Sequence, residues 1–474
     1  MPETNYDLVV LGGGTGGYVA AIRASQLGLK TAVVERDKLG GTCLHRGCIP
    51  SKALLRSAEV FSTAKQAAEY GVLHDEPRFD LSQAMARKTR VVDQLHKGIA
   101  FLMKKNGIDV YQGVGRVMGP SIFSPQAGAI LIEYDNGETQ ILSPGFTLIA
   151  TGSRPKSLPG LDFDGQYVLS SDDILELEKL PASILIVGAG AIGVEWASML
   201  ADFGVSVTLV EFLPRVLPQE DEEISKEVTR LLKKRGVKIL TEASVAAESL
   251  EKSNDGILVD VETKEGKKTF KADTMLVSVG RVPNTDDIGL SATEMQVDRG
   301  AIVVDSDFRT AESSIYAIGD VIGGLQLAHV AAHEGIHAVE VMAGLKPRPM
   351  DYSLIPRCTY SRPEVASVGL TEQQARNEGR SIKVGKFQFR AIGKALVYGE
   401  ADGFVKVIGD EETGDVLGVH MVGPHVTDLI SEAGLAHVLN ATPWEIGQTI
   451  YPHPTLSEAL GEAALAVDGL AIHS

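Results

Sequence analysis

The chain has 474 residues, 44% hydrophobic and 23% charged, with 62 Asp and Glu against 45 Lys and Arg, for a formal net charge of −17. That length exceeds what one hydrophobic core supports, so two to four domains are expected. The acidic balance, with no basic stripe, speaks against nucleic acid as a partner. The apolar run Ile184–Val194 is far shorter than the roughly 20 residues that cross a bilayer, and Met1–Asn5 carries no cationic leader. No membrane association and a cytoplasmic location are therefore expected.

Tyr6–Leu11 is a short apolar run that ends in Gly12-Gly13-Gly14-Thr15-Gly16-Gly17. A helical pattern, Tyr18–Leu27, and a second apolar run, Thr31–Val34, follow, closed by Glu35. Gly12, Gly14 and Gly17 fit G-x-G-x-x-G, and Glu35 lies 23 residues after Gly12. Glycines let backbone amides approach a pyrophosphate at a helix N-terminus, and the acid takes a ribose hydroxyl. The glycines alone say little; strand, glycines, helix, strand and acid in that order are specific.

Cys43 and Cys48 come next, in Gly40-Gly41-Thr42-Cys43-Leu44-His45-Arg46-Gly47-Cys48-Ile49-Pro50-Ser51-Lys52. Five positions along a loosely helical turn bring two sulfurs to one side, and Gly47 and Pro50 suggest an irregular backbone there. The pair reads either as a disulfide that opens and closes or as two packed thiols. In a reducing compartment a lasting bridge is not expected, so a bonded pair would be catalytic or redox-sensing. Cys358 has no partner signal and reads as a packed thiol.

Amphipathic helical patterns cover about 56–70 and 80–105. The glycine unit then returns: Ser183–Val187, Gly188-Ala189-Gly190-Ala191-Ile192-Gly193, a helix Val194–Phe203, and Ser206–Val210 ending at Glu211, again 23 residues after the first glycine. Two matched units predict two bound dinucleotides. Buried-type strands Phe146–Ala150, Thr274–Val279 and Ile315–Ile318 each end at a glycine, in Thr151-Gly152-Ser153, Gly280-Arg281 and Gly319-Asp320. From about 351, Lys383–Phe389, Gly403–Ile408 and Val416–Gly423 read as antiparallel strands, with helices at about 426–440 and 456–466. The expected fold is α/β: two Rossmann-like dinucleotide-binding domains plus a carboxy-terminal α+β domain. The boundaries are 1–151, 152–280, 281–350 (the first domain resumed) and 351–474.

A carboxylate at the end of the second strand, Glu211, favours the 2′-hydroxyl of NAD over the 2′-phosphate of NADP, although Arg215 follows four residues on. His453 lies between two prolines with Glu458 five residues later at a helix start, an acid–base arrangement. His329, His333 and His337 have a spacing seen in zinc sites, but no further ligand cluster accompanies them, so no metal is expected.

The segment GGTCLHRGCIPSK resembles the redox motif of the flavin-dependent disulfide reductases, most closely the dihydrolipoamide dehydrogenases, and the likeness runs from Tyr6 to about Gly469. It implies FAD and NAD as cofactors and a homodimer whose interface lies in the last domain. It implies oxidation of protein-bound dihydrolipoamide by NAD⁺, with partners in the lipoyl and peripheral-subunit-binding domains of an E2 acyltransferase. Cys43 corresponds to the interchange thiol and Cys48 to the thiol against the flavin; His453, held by Glu458 in a motif resembling His-Pro-Thr-x-Ser-Glu, serves the other subunit's thiols. Cofactor contacts are implied at Gly12, Gly14, Gly17, Glu35, Thr42, Lys52, Gly115, Thr151, Gly152, Ser153, Asp320, Leu327, Ala328, His329, Gly188, Gly190, Ile192, Gly193, Glu195, Glu211, Val245 and Gly280, with Lys52 and Glu195 paired beside the flavin.

This sequence departs from many relatives in Arg362 and in the basic His45-Arg46 between the cysteines; His45-Arg46 and Gly323-Gly324-Leu325-Gln326-Leu327 resemble the form serving branched-chain 2-oxo acid dehydrogenases. Among rivals, a mercuric reductase is disfavoured because Ala466–Ser474 holds no cysteine, and a transhydrogenase would not need the Cys pair. A catalytically silent structural subunit is disfavoured by intact Cys43, Cys48 and His453.

Overall fold

The computed structural model describes residues 4–120 and 127–473. Residues 1–3, on which the reading of the amino terminus partly rests, and Ser474 lie outside them. The chain divides into two compact units, the first made of Met1–Ala53, Ser82–Lys156 and Gly280–Met350, the second of Leu54–Leu81, Ser157–Val279 and Asp351–Ser474.

In the first unit, β1 (Thr4–Leu11) is flanked by two parallel neighbours, β2 (Thr31–Glu35) and β3 (Thr139–Ile149). Leu8, Val9 and Val10 are fully buried. A central parallel strand is covered on both faces, so it reads as an unbroken apolar run. The seven-stranded sheet continues to Asp109–Gln112 beyond β2, and through antiparallel Ile130–Glu133 to Val114–Val117 beyond β3. The expected strand Phe146–Ala150 is only the end of β3. Residues 139–142 pair antiparallel with 130–133, while 147–149 pair parallel with Ile315–Ala317. The polar 139–145 stretch has no continuous apolar signal, which is why the strand reads shorter.

α1 (Thr15–Gln26) starts three residues before the pattern suggests. Gly16 and Gly17 lie inside it, where glycine costs about 1 kcal/mol against alanine and hides a helix from the sequence. Sterics keep them there: a Cβ on Gly16 would sit 3.0 Å from the Ala331 carbonyl oxygen. α2 (Gly41–Arg46) and α3 (Cys48–Lys65) are separated by Gly47 alone. α3 begins eight residues before the expected 56 because Pro50 falls in its first turn, where a missing N–H costs nothing. α4 (Leu81–Lys105) is the second expected helix.

In the second unit, β4 (Ser183–Val187), α5 (Ala191–Asp202) and β5 (Ser206–Val210) form the repeated glycine unit. Its parallel sheet runs Lys238–Leu240, β5, β4, Thr274–Val277, Val168–Leu169. An antiparallel three-stranded sheet, Ser244–Ser253, Gly256–Thr263 and Gly266–Ala272, is additional to the sequence reading. The three later strands appear as Ile382–Gln388, Phe404–Asp410 and Val416–Gly423, joined by Glu364–Gly369 and Arg357–Thr359 in one antiparallel sheet. Val405, Val407, Val419 and Met421 bury one face of it against Ile430 and Leu460.

Lys406, 1% exposed on the strand Phe404–Asp410, ties that sheet to α6 (Glu222–Lys234). Its Nζ lies 3.0 Å from Asp221, 3.0 Å from Glu223 and 2.7 Å from Glu372. Burial alone would raise the Asp221 and Glu223 carboxyls; neighbouring cations, Lys406 among them, outweigh it, and Glu372 is lowered chiefly by its Lys406 hydrogen bond. All three therefore lie below the usual carboxylate range, so their contribution is full above pH ~4 and is lost as pH falls through the lower folded-state values. Lys406→Met, which leaves three carboxylates facing one another, is expected to cost about 3–5 kcal/mol at neutral pH and to lose less stability than wild type on acidification below pH ~4. Denaturant midpoints measured across pH check both.

Candidate active site

The two glycine turns repeat one another closely. Gly12 N–H donates to the Val34 carbonyl and Gly188 N–H to that of Val210, both at 2.8 Å. A Cβ on Gly12 (φ +108°) would lie 2.3 Å from the Ala150 oxygen, and one on Gly188 (φ +100°) 2.5 Å from that of Ser278; on Gly17 or Gly193 it would lie 1.9 Å from the carbonyl oxygen of Gly12 or Gly188. Only glycine fits at these four positions. α1 and α5 begin at Gly14 and Gly190 with no side-chain cap, so their first N–H groups stay available. By contrast, Asp221 caps α6.

The acids repeat too. One Glu35 oxygen accepts from Gly13 N–H at 2.7 Å and the other from Asp37 N–H at 2.8 Å; Glu211 accepts from Ala189 N–H at 2.6 Å and Leu213 N–H at 2.8 Å. Arg215 donates to the Pro218 carbonyl within its own loop. Open glycine cradles, uncapped helix starts and fixed carboxylates fit the pyrophosphate and ribose of two dinucleotides. Ile192 lies beside Gly193 in the first turn of α5, and Val245 is on the antiparallel sheet opposite Val261.

The cysteine segment is built on the lip of the first turn. Gly40 N–H donates to the Gly13 carbonyl at 2.8 Å, and a Cβ on Gly41 would lie 2.6 Å from Gly14 Cα. Cys43 and Thr42 lie on α2, and Cys48 opens α3. Both thiols are half-buried and within hydrogen-bonding reach of each other. The Cys48 sulfur and burial push the Cys43 thiol up, against the Thr15 hydroxyl and the Lys52 charge, which pull it down. A charge on Cys43 beside one on Cys48 is thus disfavoured. Lys52 is in the first turns of α3. Glu195, in the second unit, is buried on α5 and accepts from Tyr360 N–H at 2.9 Å.

Beside the first turn, Ser153 hydrogen-bonds Asp320, and Arg281 Nε donates to the Ser153 hydroxyl at 2.7 Å. Asn284 donates to the Thr151 carbonyl and accepts through its own carbonyl from the Thr151 hydroxyl. Arg281 and Asn284 escaped the sequence reading. Their signal is the echo between Thr151-Gly152-Ser153-Arg154-Pro155 and Gly280-Arg281-Val282-Pro283, which pair as antiparallel strands. Gly152 and Gly280 are left-handed at φ +69° and +106°. Gly115 lies over β1 and β2, where a Cβ would meet Leu11 at 2.4 Å and Val34 at 3.0 Å. Leu327 immediately precedes the helix Ala328–Met342, His329 is exposed at its start, His333 bonds the His329 carbonyl, and His337 lies 3.0 Å from Asp307.

His453 Nδ1 lies 2.8 Å from Glu458 Oε1, and Glu458 Oε2 accepts from Thr455 N–H at 2.8 Å. Both carboxylate oxygens are used, so α7 (Glu458–Ala466) holds the imidazole in one orientation with its Nε2 edge outward; the side chain is 77% exposed. Partial burial raises Glu458, yet the His453 and Thr455 hydrogen bonds leave it below the usual carboxylate range. The pair lines a cavity of ≈ 250 Å³ with Tyr451 and Gly461. His473 lines it too, bonded to Glu462 at 2.6 Å, a second such pair that the sequence reading missed. Its signal was Glu458 and Glu462 one helical turn apart.

Residues 6–335 match the family model described as pyridine nucleotide-disulphide oxidoreductase, and 355–464 match that family's dimerisation domain. The chain belongs to the pyridine nucleotide-disulphide oxidoreductases. It is 61% identical to a dihydrolipoyl dehydrogenase of Bacillus subtilis over 471 residues, 99% of each chain, and 45% identical to one of Zymomonas mobilis, again over 99% of each. Among solved structures, LpdA of Mycobacterium tuberculosis superposes with a TM-score of 0.89 at 29% identity, over 97% of this chain and 99% of that one. The flavoprotein disulfide reductase RclA of Escherichia coli gives 0.85 at 28%, over 98% and 99%.

Because the second turn has no space for a Cβ, Gly193→Ala is expected to abolish dinucleotide binding at the second turn while leaving the dinucleotide at the first in place. Isothermal titration alongside the visible spectrum checks this.

Proposed function

We propose that the protein oxidises protein-bound dihydrolipoamide to lipoamide and passes the electrons to NAD⁺, working as a homodimer. The observation that carries this reading is the Cys43–Cys48 pair seated on the first glycine turn. The full-length likeness to dihydrolipoyl dehydrogenases supports the substrate, and the dimerisation-domain match supports the homodimer. The first turn, with Glu35, Ser153 and Asp320, would hold FAD; the second, with Glu211, would hold NAD. FAD, when bound, accepts two electrons from the enzyme dithiol and hands them on to NAD⁺.

With the enzyme pair oxidised, His453 of the partner subunit takes a proton from one substrate thiol through its outward Nε2 edge, and Glu458 stabilises the imidazolium. The substrate thiolate attacks Cys43, forming a mixed disulfide and releasing Cys48 as a thiolate beside the Lys52 charge. The second substrate thiol attacks the first substrate sulfur and its proton passes to the leaving Cys43 sulfur, closing the lipoyl disulfide and releasing Cys43 as a thiol, while the first proton stays on His453. The enzyme is left as a dithiol with one proton held on Cys43, as the raised Cys43 thiol requires. Glu211 disfavours a phosphorylated ribose by charge and by its fixed position. The partner is a lipoyl domain on an E2 acyltransferase, with docking through its peripheral-subunit-binding domain, and the location is the cytoplasm, where a dithiol cycles without being trapped. Among the described residues, no helix is long and apolar enough to cross a membrane.

The purified protein is expected to show a flavin spectrum that develops a long-wavelength thiolate band with dihydrolipoamide under anaerobic conditions and returns with NAD⁺. A flavin spectrum unchanged by dihydrolipoamide would overturn the substrate; folded protein without flavin would overturn the cofactor. His453→Gln is expected to lower turnover by about 10²–10⁴-fold, with flavin content and NADH binding unchanged, as followed by steady-state kinetics and fluorescence.

A further inference from the structure

The carbonyl of Leu39 receives two imidazoles. His45 Nε2, from α2, lies 2.9 Å from it, and His96 Nδ1, from α4, lies 3.0 Å from it. A carbonyl oxygen only accepts, so each of these nitrogens carries its proton, and the tautomers are set: Nε2–H on His45 and Nδ1–H on His96. The rings sit edge to face, with centroids 5.3 Å apart. Both lone pairs of one oxygen are thereby used, one donor coming from the helix of Cys43 and the other from a helix 57 positions further along the chain.

That carbonyl stands at a sensitive place. Leu39 is buried, and its side chain packs where a Cβ on Gly13 would be, 2.7 Å away. The next two residues, Gly40 and Gly41, are both left-handed, at φ +109° and +57°, and Gly40 leads into α2 without a side-chain cap. Two successive glycines in that region lose much conformational freedom on ordering and supply no side chain to hold them. α2 then carries Cys43 two residues on. The turn between the nucleotide cradle and the dithiol is therefore fixed on one side by Gly40 N–H to Gly13 and on the other by the two histidines.

We propose that His45 and His96 act as a paired latch on the Leu39 carbonyl that positions the dithiol against the first nucleotide turn. They are positioning residues, acting through the backbone of 39–41 and not on the substrate. The inference rests on the function proposed above. Burial first, then His96 and Lys38, disfavour a charge on His45, while the Leu39 carbonyl and Asp37 favour it, and the net effect is a lowered affinity of His45 for a proton. Arg46 is paired with Asp37 on the same side.

The test uses the flavin-loaded protein and stopped-flow reduction by dihydrolipoamide. His45→Ala and His96→Ala are each expected to lower the limiting rate of flavin reduction about fivefold, the worth of one net hydrogen bond, with the half-saturating dihydrolipoamide concentration unchanged. His45→Gln and His96→Asn, whose amide nitrogens reach the positions of Nε2 and Nδ1, are expected to restore the wild-type rate without a titrating group. Alanine variants that reduce at the wild-type rate would overturn the latch. If alanine costs flavin or folding, His45→Asn, with its donor short of the carbonyl, is compared with His45→Gln, and equal rates overturn it. Wild-type protein that dihydrolipoamide does not reduce would instead overturn the substrate. The latch is then read in dithiothreitol-reduced protein from the ratio of Cys43 to Cys48 alkylation by iodoacetamide: a ratio shifted by alanine and restored by the amides supports it, and an unchanged ratio overturns it.

Discussion

At each nucleotide turn a strand delivers its backbone so close to the next helix that one extra carbon has nowhere to go. Gly17 and Gly193 would each drive a Cβ to 1.9 Å from a carbonyl oxygen. The rest of the molecule follows from that closeness. It sets α1 and α5 with bare N–H groups toward the crevice, it lets β1 and β4 sit centrally in their sheets, and it brings Glu35 and Glu211 back to the amide after the first glycine. In the first unit it also supplies the Gly13 carbonyl on which the cysteine segment begins.

The dithiol borrows its electrostatics from these same parts. Thr15, the first residue of α1, and Lys52 on α3 pull the Cys43 thiol down, while Cys48 and burial push it up more strongly. A thiol beside a thiolate is a poor second acid, so reduced protein stores two electrons with one proton still in place. His453 and Glu458, by contrast, sit on a rim of the second unit with an exposed imidazole and a carboxylate tied at both oxygens. In the function proposed above, storage falls to a half-buried pair and proton transfer to an exposed one, which is the division of labour that reaction asks for.

Much of this is legible in the sequence because it depends on local spacing. A G-x-G-x-x-G with an acid 23 residues on is a local geometric statement, and it recurs. The cysteines, and His453 between prolines, are legible for the same reason. What escaped was non-local or masked. The first half of β3 is too polar to register as a strand. The sheet of residues 244–272 is exposed on much of its surface and lacks a long apolar run. Arg281 and Asn284 act on residues some 130 positions away, and His473 on a glutamate 11 back. The helix starts of α1 and α3 were misread where glycine or proline sits inside a first turn, against average propensity but within its physical exceptions.

The Glu211 clamp carries an implication for how such a site changes its preference. Its two oxygens cover the amides of Ala189 and Leu213, so the carboxylate is a plug as well as the proposed ribose ligand. Removing it does not leave a hydrophobic gap; it uncovers two N–H groups converging from the glycine turn and from the end of β5. Two converging amides form a small anion nest. If Glu211 rejects a phosphorylated ribose as proposed, the molecule already contains, beneath the group doing the rejecting, part of the apparatus for accepting one.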